Sequence, residues 1–335
     1  MCASCCAVLQ RVMLCHTNAS SKGASCSRSR ANALRCSAAS ATTTGCLSPQ
    51  QVAKFREDGF LVLPRFSSAA QCDKLRQRMS HLLQQFDPDS VRSIFSTTNQ
   101  VKLLDKYFLD SASNISYFFE EKAFDPATGQ LRQPKQLSIN KVGHALHDLD
   151  PEFRAFSRSP EVAAVLRSLG YRRPLPVQSM YIFKQPHIGG EVVPHQDSTF
   201  LMSDPLTCVG LWWALEDATR DNGCLWAAPG IHHQGLLRRF SRQPEGGMAF
   251  DNPVPAYDLS SFVPLECPAG SLVLLQGENV HYSCENQSPV SRHSYSVHFV
   301  ESSPGHHWLP GNWAHREQGT VPWTPLYEEV GEQQG

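Results

Sequence analysis

The chain has 335 residues, with 30 Lys and Arg against 31 Asp and Glu, a formal net charge of -1. That balance excludes the basic surplus with which nucleic-acid binders neutralise phosphates, and no run of roughly 18 apolar residues exists to cross a bilayer. With 41% apolar and 18% charged residues, the expectation is a soluble globular protein acting on a small molecule; a monomer is the favoured state, though composition does not argue for it.

Residues 1–46 contain no Asp or Glu and carry Arg11, Lys22, Arg28, Arg30 and Arg35 among many Ser, Ala and Thr. Arg-rich, Ser-rich and acid-free is the composition of an organelle transit peptide. The reading preferred here is a disordered extension with too few large apolar residues to offset chain entropy, in a cytoplasmic protein, with mitochondria as the alternative. Cys2-x-x-Cys5 lacks the second ligand pair that a zinc site needs. Cys72, Cys208, Cys224, Cys267 and Cys284 are scattered singly and odd in number, so they read as free thiols of a reducing compartment. The sequons at Asn18, Asn114 and Asn286 then carry no weight.

The folded part begins at Leu47. Ser48 can cap a helix with Pro49 at its first position and Gln51 completing a capping box, and Gly59 ends it. Phe60–Leu63 is a short buried strand stopped by Pro64. A second helix follows Ser67, with Leu75, Met79, Leu82, Leu83 and Phe86 forming one apolar stripe. A third opens at Ser159-Pro160, buries Val162, Val165, Leu166 and Leu169, and is capped by Gly170. Beyond residue 175 the texture changes to short β-branched and aromatic runs: Val177–Phe183, Val209–Leu215, Leu225–Ala228, Leu272–Leu275 and Tyr295–Val300. Many short strands with irregular turns predict a mainly β sandwich or barrel with flanking helices. The glycine-rich, nucleophile-elbow and zincin motifs of nucleotide-binding proteins, serine hydrolases and zinc proteases are all missing from the sequence.

The chemistry concentrates in His195-Gln196-Asp197. In extended backbone, residues two apart share a face, so His195 and Asp197 can grip one ion. His281, beyond the apolar run Leu272–Leu275 and a turn at Gly277, is the natural third ligand of a 2-His-1-carboxylate facial triad, which leaves positions on Fe(II) open. Arg292 then leads a face shared with Ser294, Ser296 and His298, while Tyr295, Val297 and Phe299 take the other. A polar interior face led by Arg points to a bound carboxylate, which a guanidinium fork matches bidentately. Each residue alone reads as an ordinary histidine or surface arginine; their order along the chain is what discriminates.

The stretches DGFLVL (58–63), SINKVGHALHDLDPEF (138–153), VQSMYIFKQPHIGGEVVPHQD (177–197), EDAT-x-x-NGCLW (216–226) and the His281 to Arg292 segment resemble the phytanoyl-CoA dioxygenase family of Fe(II)- and 2-oxoglutarate-dependent oxygenases. The resemblance implies a double-stranded β-helix (jelly-roll) core with helices outside it, formed by residues 47–327 and followed by a tail at 328–335. It implies that His195, Asp197 and His281 hold iron, and that Arg292 holds the distal carboxylate of 2-oxoglutarate. Lys141, Met180, Gln196, Trp212 and Ser283 would line the co-substrate pocket with them. On their own terms Met180 and Trp212 read as core residues and Lys141 as a surface lysine. The implied reaction uses O2 to hydroxylate a small acyl-CoA or lipid-like substrate, releasing succinate and CO2. The alternatives are a non-catalytic metal- and 2-oxoglutarate-binding protein, and a zinc-dependent hydrolase or isomerase in which Arg292 has no clear task. The residues that choose the substrate belong to the loops at 84–136 and 233–262.

Overall fold

A computed structural model describes residues 45–95, 97, 106–316 and 322–328. All but the last two residues of the 1–46 extension, including Cys2-x-x-Cys5, and the tail beyond Glu328 lie outside the described residues. In chain order the helices are α1 (Pro49–Asp58), α2 (Ala69–Gln85), α3 (Lys106–Asp110), α4 (Leu146–Leu149), α5 (Pro151–Ser157) and α6 (Pro160–Leu169). The strands that build the two main sheets are β1 (Phe60–Leu63), β2 (Ile115–Phe119), β3 (Ile139–His144), β4 (Pro174–Ile182), β5 (Val192–His195), β6 (Val209–Ala214), β7 (Leu225–Ala227), β8 (Val263–Leu265), β9 (Leu272–Gln276), β10 (His281–Ser283) and β11 (Ser294–Glu301).

Local rules set the helix ends. Ser48 Oγ accepts from the Gln51 N–H while the Gln51 side chain accepts from the Ser48 N–H, and Pro49 stands at the first helical position. Ser68, one residue beyond Ser67, makes the same reciprocal cap on α2. Ser159 and Gly170 close the two ends of α6. Cys72, Leu75, Met79, Leu82 and Leu83 form the buried stripe of α2, and Val162, Val165 and Leu166 that of α6.

The strands make two open antiparallel sheets. A seven-stranded sheet runs β1-β9-β6-β11-β4-β3-β2, and a four-stranded sheet runs β8-β7-β10-β5. Alternation along the strands of the larger sheet decides what each face meets. Leu211, Trp213, Leu272, Leu274, Tyr295, Val297 and Phe299 point to one side and pack on the stripes of α2 and α6. On the other side Trp212, Val273 and Leu275 pack on Leu225, Ala227 and Leu265 of the smaller sheet. Each fully buried large side chain contributes about 1.5–3 kcal/mol, so both interfaces are held by apolar burial.

The architecture is thus mainly β with helices outside, as expected, but the described strands close no barrel. The register explains how an apolar sandwich still carries a polar site. Across the inner face of the larger sheet, Trp212, Ser296, Met180 and Gly143 lie in one row. Ala214, Ser294, Ile182 and Lys141 form the next, and Gly210, His298 and Gln178 the one beyond Ser296. Cys72, Cys208, Cys224 and Cys267 are buried free thiols. Asn286 is buried as well, its amide committed to the carbonyls of Lys184 and Val290.

Candidate active site

β5 and β10 are antiparallel neighbours, and their register sets His195 directly opposite His281, with ring centroids 4.3 Å apart. After His195 the chain turns through a short 3-10 segment, Asp197–Thr199, pinned where the Ser198 N–H donates to Gly277 O at 2.8 Å. The turn carries the Asp197 carboxylate back over the two rings. Its Oδ1 lies 3.7 Å from His195 Nε2 and 3.8 Å from His281 Nε2. One ligand atom from each residue falls within 4.8 Å of the others.

Both imidazoles are oriented by their own strands. His195 Nδ1 lies 2.8 Å from Val193 O and His281 Nδ1 lies 3.3 Å from Asn279 O. A carbonyl only accepts, so Nδ1 carries the proton and the Nε2 lone pairs face the common point, the usual outer support of a metal-binding histidine. Burial pushes His281 down to about 4, so it is neutral, the form that ligates. Burial also works against the Asp197 charge, but His298, His281 and His195 together hold its carboxyl well below the usual range.

The second oxygen of Asp197 is held from the larger sheet. His298 Nε2 lies 3.2 Å from Oδ2, and the Gln178 amide nitrogen lies 3.4 Å from His298 Nδ1. An amide N–H facing Nδ1 leaves the imidazole proton on Nε2, the ring atom nearest Asp197. Room for this pair depends on Gly210, where a Cβ would stand 3.0 Å from Oδ2 and 3.4 Å from His298 Nε2. None of these three supporting residues follows from the sequence reading, although His298 stands on the face led by Arg292.

Arg292 precedes β11 and is 1% exposed. Its Nε donates to Gly223 O at 3.1 Å, Nη1 donates to Ser294 Oγ at 2.6 Å, and the guanidinium carbon is 5.2 Å from the Trp212 ring centroid. Burial lowers it to about 10, so it remains a cation. Among the described residues no carboxylate makes an ion pair with it. A buried charge without a counter-ion costs several kcal/mol, which marks the place as built for an anion. Ser283 Oγ and Ser296 Oγ, two residues from His281 and His298, are buried without a hydrogen-bond partner among the described residues.

A cavity of about 520 Å³ opens beside the triad. Of the residues tied to the co-substrate by resemblance, Lys141, Met180 and Gln196 line it with His195 and Asp197, whereas Trp212, Ser283 and Arg292 do not. Lys141 departs from its surface reading: it is 3% exposed, with Nζ 3.5 Å from the Phe95 ring centroid and 3.9 Å from Met180 Sδ. Burial holds its amine well below the ordinary lysine value. Met180 is half-buried on the cavity wall, while Trp212 packs into the contact between the sheets, the core position its sequence implies. The Gln196 amide is committed to backbone, donating to Gly235 O and Glu278 O and accepting from the Leu237 N–H. The two loops expected to choose the substrate supply Phe95, Thr97 and Phe108 from one side and Arg238, Phe250 and Tyr257 from the other.

Comparison with known proteins places the chain in a family. Residues 55–294 match the phytanoyl-CoA dioxygenase (PhyH) family. The chain is 54% identical to a phytanoyl-CoA dioxygenase of Arabidopsis thaliana, covering 83% of this chain and 97% of that one. It is 48% identical to phytanoyl-CoA dioxygenase domain-containing protein 1 of Mus musculus, covering 84% and 99%. Its fold is similar to that of the non-haem α-ketoglutarate-dependent carbocyclase SnoK from nogalamycin biosynthesis, with a TM-score of 0.55, 20% identity, and 87% and 98% of the two chains covered. The chain therefore belongs to the phytanoyl-CoA dioxygenase family of oxidoreductases.

Proposed function

We propose that the protein is an Fe(II)- and 2-oxoglutarate-dependent dioxygenase that hydroxylates a C–H bond of a small, lipid-like substrate, releasing succinate and CO2. The core that carries it is read as a double-stranded β-helix, on the strength of two facing antiparallel sheets and the likeness to an oxygenase of that chemistry. The observation that carries the proposal is the convergence of His195 Nε2, His281 Nε2 and Asp197 Oδ1 on one point.

The donor set fits iron: two imidazoles whose Nε2 atoms face one point and one ionised carboxylate, the ligand types of a facial triad with open positions. When bound, iron with 2-oxoglutarate and O2 supplies the oxidising power, as cofactors do for hard chemistry. The protein's own residues have four tasks. His195, His281 and Asp197 hold the metal. Arg292 receives the distal carboxylate of 2-oxoglutarate, its guanidinium pre-set by Gly223 O, Ser294 Oγ and the Trp212 face. Ser283 Oγ and Ser296 Oγ are buried hydroxyls without a hydrogen-bond partner among the described residues, and Lys141, Met180 and Gln196 belong to the wall between co-substrate and substrate. Phe95, Phe108, Phe200 and Phe250 keep water from the reacting centre.

A zinc hydrolase would leave Arg292 a buried cation without a task, and a non-catalytic binder is disfavoured by the complete ligand set. Anaerobic addition of Fe(II) and 2-oxoglutarate is expected to give a weak visible charge-transfer band that His195→Ala abolishes. No band in the intact protein, or an unchanged band in the variant, overturns the proposal. The same reading takes residues 47–327 as one catalytic unit acting as a cytoplasmic monomer, checked by size exclusion and by imaging a fluorescent fusion.

A further inference from the structure

The run 216–223 links β6 to β7, and three of its residues reach across the chain to Ser291, Arg292 and His293. Glu216 Oε2 accepts from the His293 backbone N–H at 2.9 Å and from Ser291 Oγ at 2.7 Å. The Asn222 amide nitrogen lies 3.4 Å from Ser291 O and donates to Asp217 O at 2.9 Å, while its oxygen accepts from the Thr219 N–H. The turn is closed where the Cys224 N–H donates to Thr219 O at 2.8 Å. Gly223 O, within that turn, is the acceptor of Arg292 Nε. One carboxylate oxygen therefore grips the residue before and the residue after Arg292, and the same turn supplies an acceptor for the guanidinium itself.

The other oxygen of Glu216 is held from the helical layer. Arg76 of α2 donates from Nη2 to Oε1 at 2.7 Å, and its Nη1 meets Asp73 on the same helix. Burial opposes the charge on Glu216, yet the His293 and Ser291 contacts together with Arg76 hold its carboxyl below the ordinary value of 4.5. An ionised carboxylate has about four lone-pair positions, so it can serve all three donors at once. We infer that Glu216 is the positioning residue of Arg292: held by Arg76 on one oxygen and holding Ser291 and His293 with the other, it aims the guanidinium before 2-oxoglutarate arrives. Fixing that geometry in advance removes an ordering cost from binding. The inference rests on the reading of Arg292 as the partner of the distal carboxylate.

The test is calorimetric titration of 2-oxoglutarate into the full Mn(II)-loaded chain, with Mn(II) affinity measured separately on the same proteins. Glu216→Gln turns an amide N–H toward groups that themselves donate, and is expected to weaken 2-oxoglutarate about 10-fold, the worth of one charged hydrogen bond. Mn(II) affinity should not change, because the three ligands are untouched. Adding Glu216→Gln to Arg292→Gln should bring no further loss, since no guanidinium is left to aim. Arg76→Gln, a partly exposed change on α2, should move 2-oxoglutarate affinity in the same direction, and stands in if Glu216→Gln does not fold. Full 2-oxoglutarate affinity in either folded variant, a parallel fall in Mn(II) affinity, or additive losses in the double variant would each overturn the inference. Arg292→Gln alone separates the two levels. Unchanged 2-oxoglutarate affinity there removes the reading of Arg292 and the inference with it, whereas a loss there beside none in Glu216→Gln removes the inference alone.

Discussion

Asp197 uses its two oxygens for different purposes. Oδ1 faces both histidines, while Oδ2 faces His298 Nε2 at 3.2 Å. A carboxylate released from that second contact can rotate about its last bond, and outer partners of this kind are worth about 10- to 100-fold in metal affinity. His298→Leu should therefore weaken Mn(II) or Co(II) binding by that factor. His298→Gln, whose amide nitrogen can stand where Nε2 stood, should recover most of it. Equal affinity in the two variants would show that the contact is only packing. Arg292 makes a separate prediction: on its proposed role, Arg292→Gln would leave the 2-oxoglutarate carboxylate without a buried partner, costing about 2 kcal/mol or more, at least ~30-fold in affinity. Equilibrium titration of 2-oxoglutarate into the metal-loaded protein reads it directly. The sequence exposes the ligands because a histidine and an aspartate two apart, a later histidine and an arginine keep a recognisable order. His298, Gln178 and Gly210 have no such order. They meet Asp197 only because three strands distant in the chain pair side by side.

At the scale of elements, the helix ends are readable because each follows from a few neighbouring atoms. Ser48, Gln51 and Gly59 specify α1 without help from the rest of the chain. Gly59 is also a hinge into the sheet: its φ of 79° is left-handed, its carbonyl accepts from the Gln276 N–H at 2.8 Å, and a Cβ there would meet the His232 ring and the Asn279 amide. Gly59→Ala should cost about 2 kcal/mol and lower Tm by roughly 4–8 °C, measured by thermal melts. An unchanged Tm would mean that α1 re-seats freely. β2 and β3 escape the sequence reading for the opposite reason. All six residues of β3 are buried, and Asn140, Lys141 and His144 among them are polar. Hydrophobic alternation fails where a strand faces a site instead of a core, so the Gly-containing stretch reads as a loop with a surface lysine. The same failure hides the aromatic surroundings of Lys141, since Phe95 and Phe108 come from the region read only as a substrate loop.

For the whole molecule, the question is what fastens the far end of the chain to the helical layer. β11 runs into an irregular C-terminal segment, and Asp148, in α4, gathers charges from that segment and from the helical layer. Its carboxylate lies 2.6 Å from Arg316, 3.3 Å from Arg158 and 3.2 Å from His147, and Arg158 also donates to the carbonyls of Thr324 and Pro325. Burial opposes the charge on Asp148, yet His147 and Arg316 hold its carboxyl well below the ordinary value of 3.8. A carboxyl lowered on folding contributes stability that is complete above its unfolded value and is lost as the pH falls through its folded value. Asp148→Asn removes the negative charge and leaves two guanidinium groups facing each other without it, which should cost about 3 kcal/mol at neutral pH. Urea unfolding of the two proteins should give a constant gap from pH 5 to pH 8 that narrows below pH 3.8 as the wild-type carboxyl takes up its proton. A gap that widens with acid, or that is absent at pH 7, would mean that the C-terminal segment is held by the packing of Trp308 and Trp323 and not by this cluster of charges.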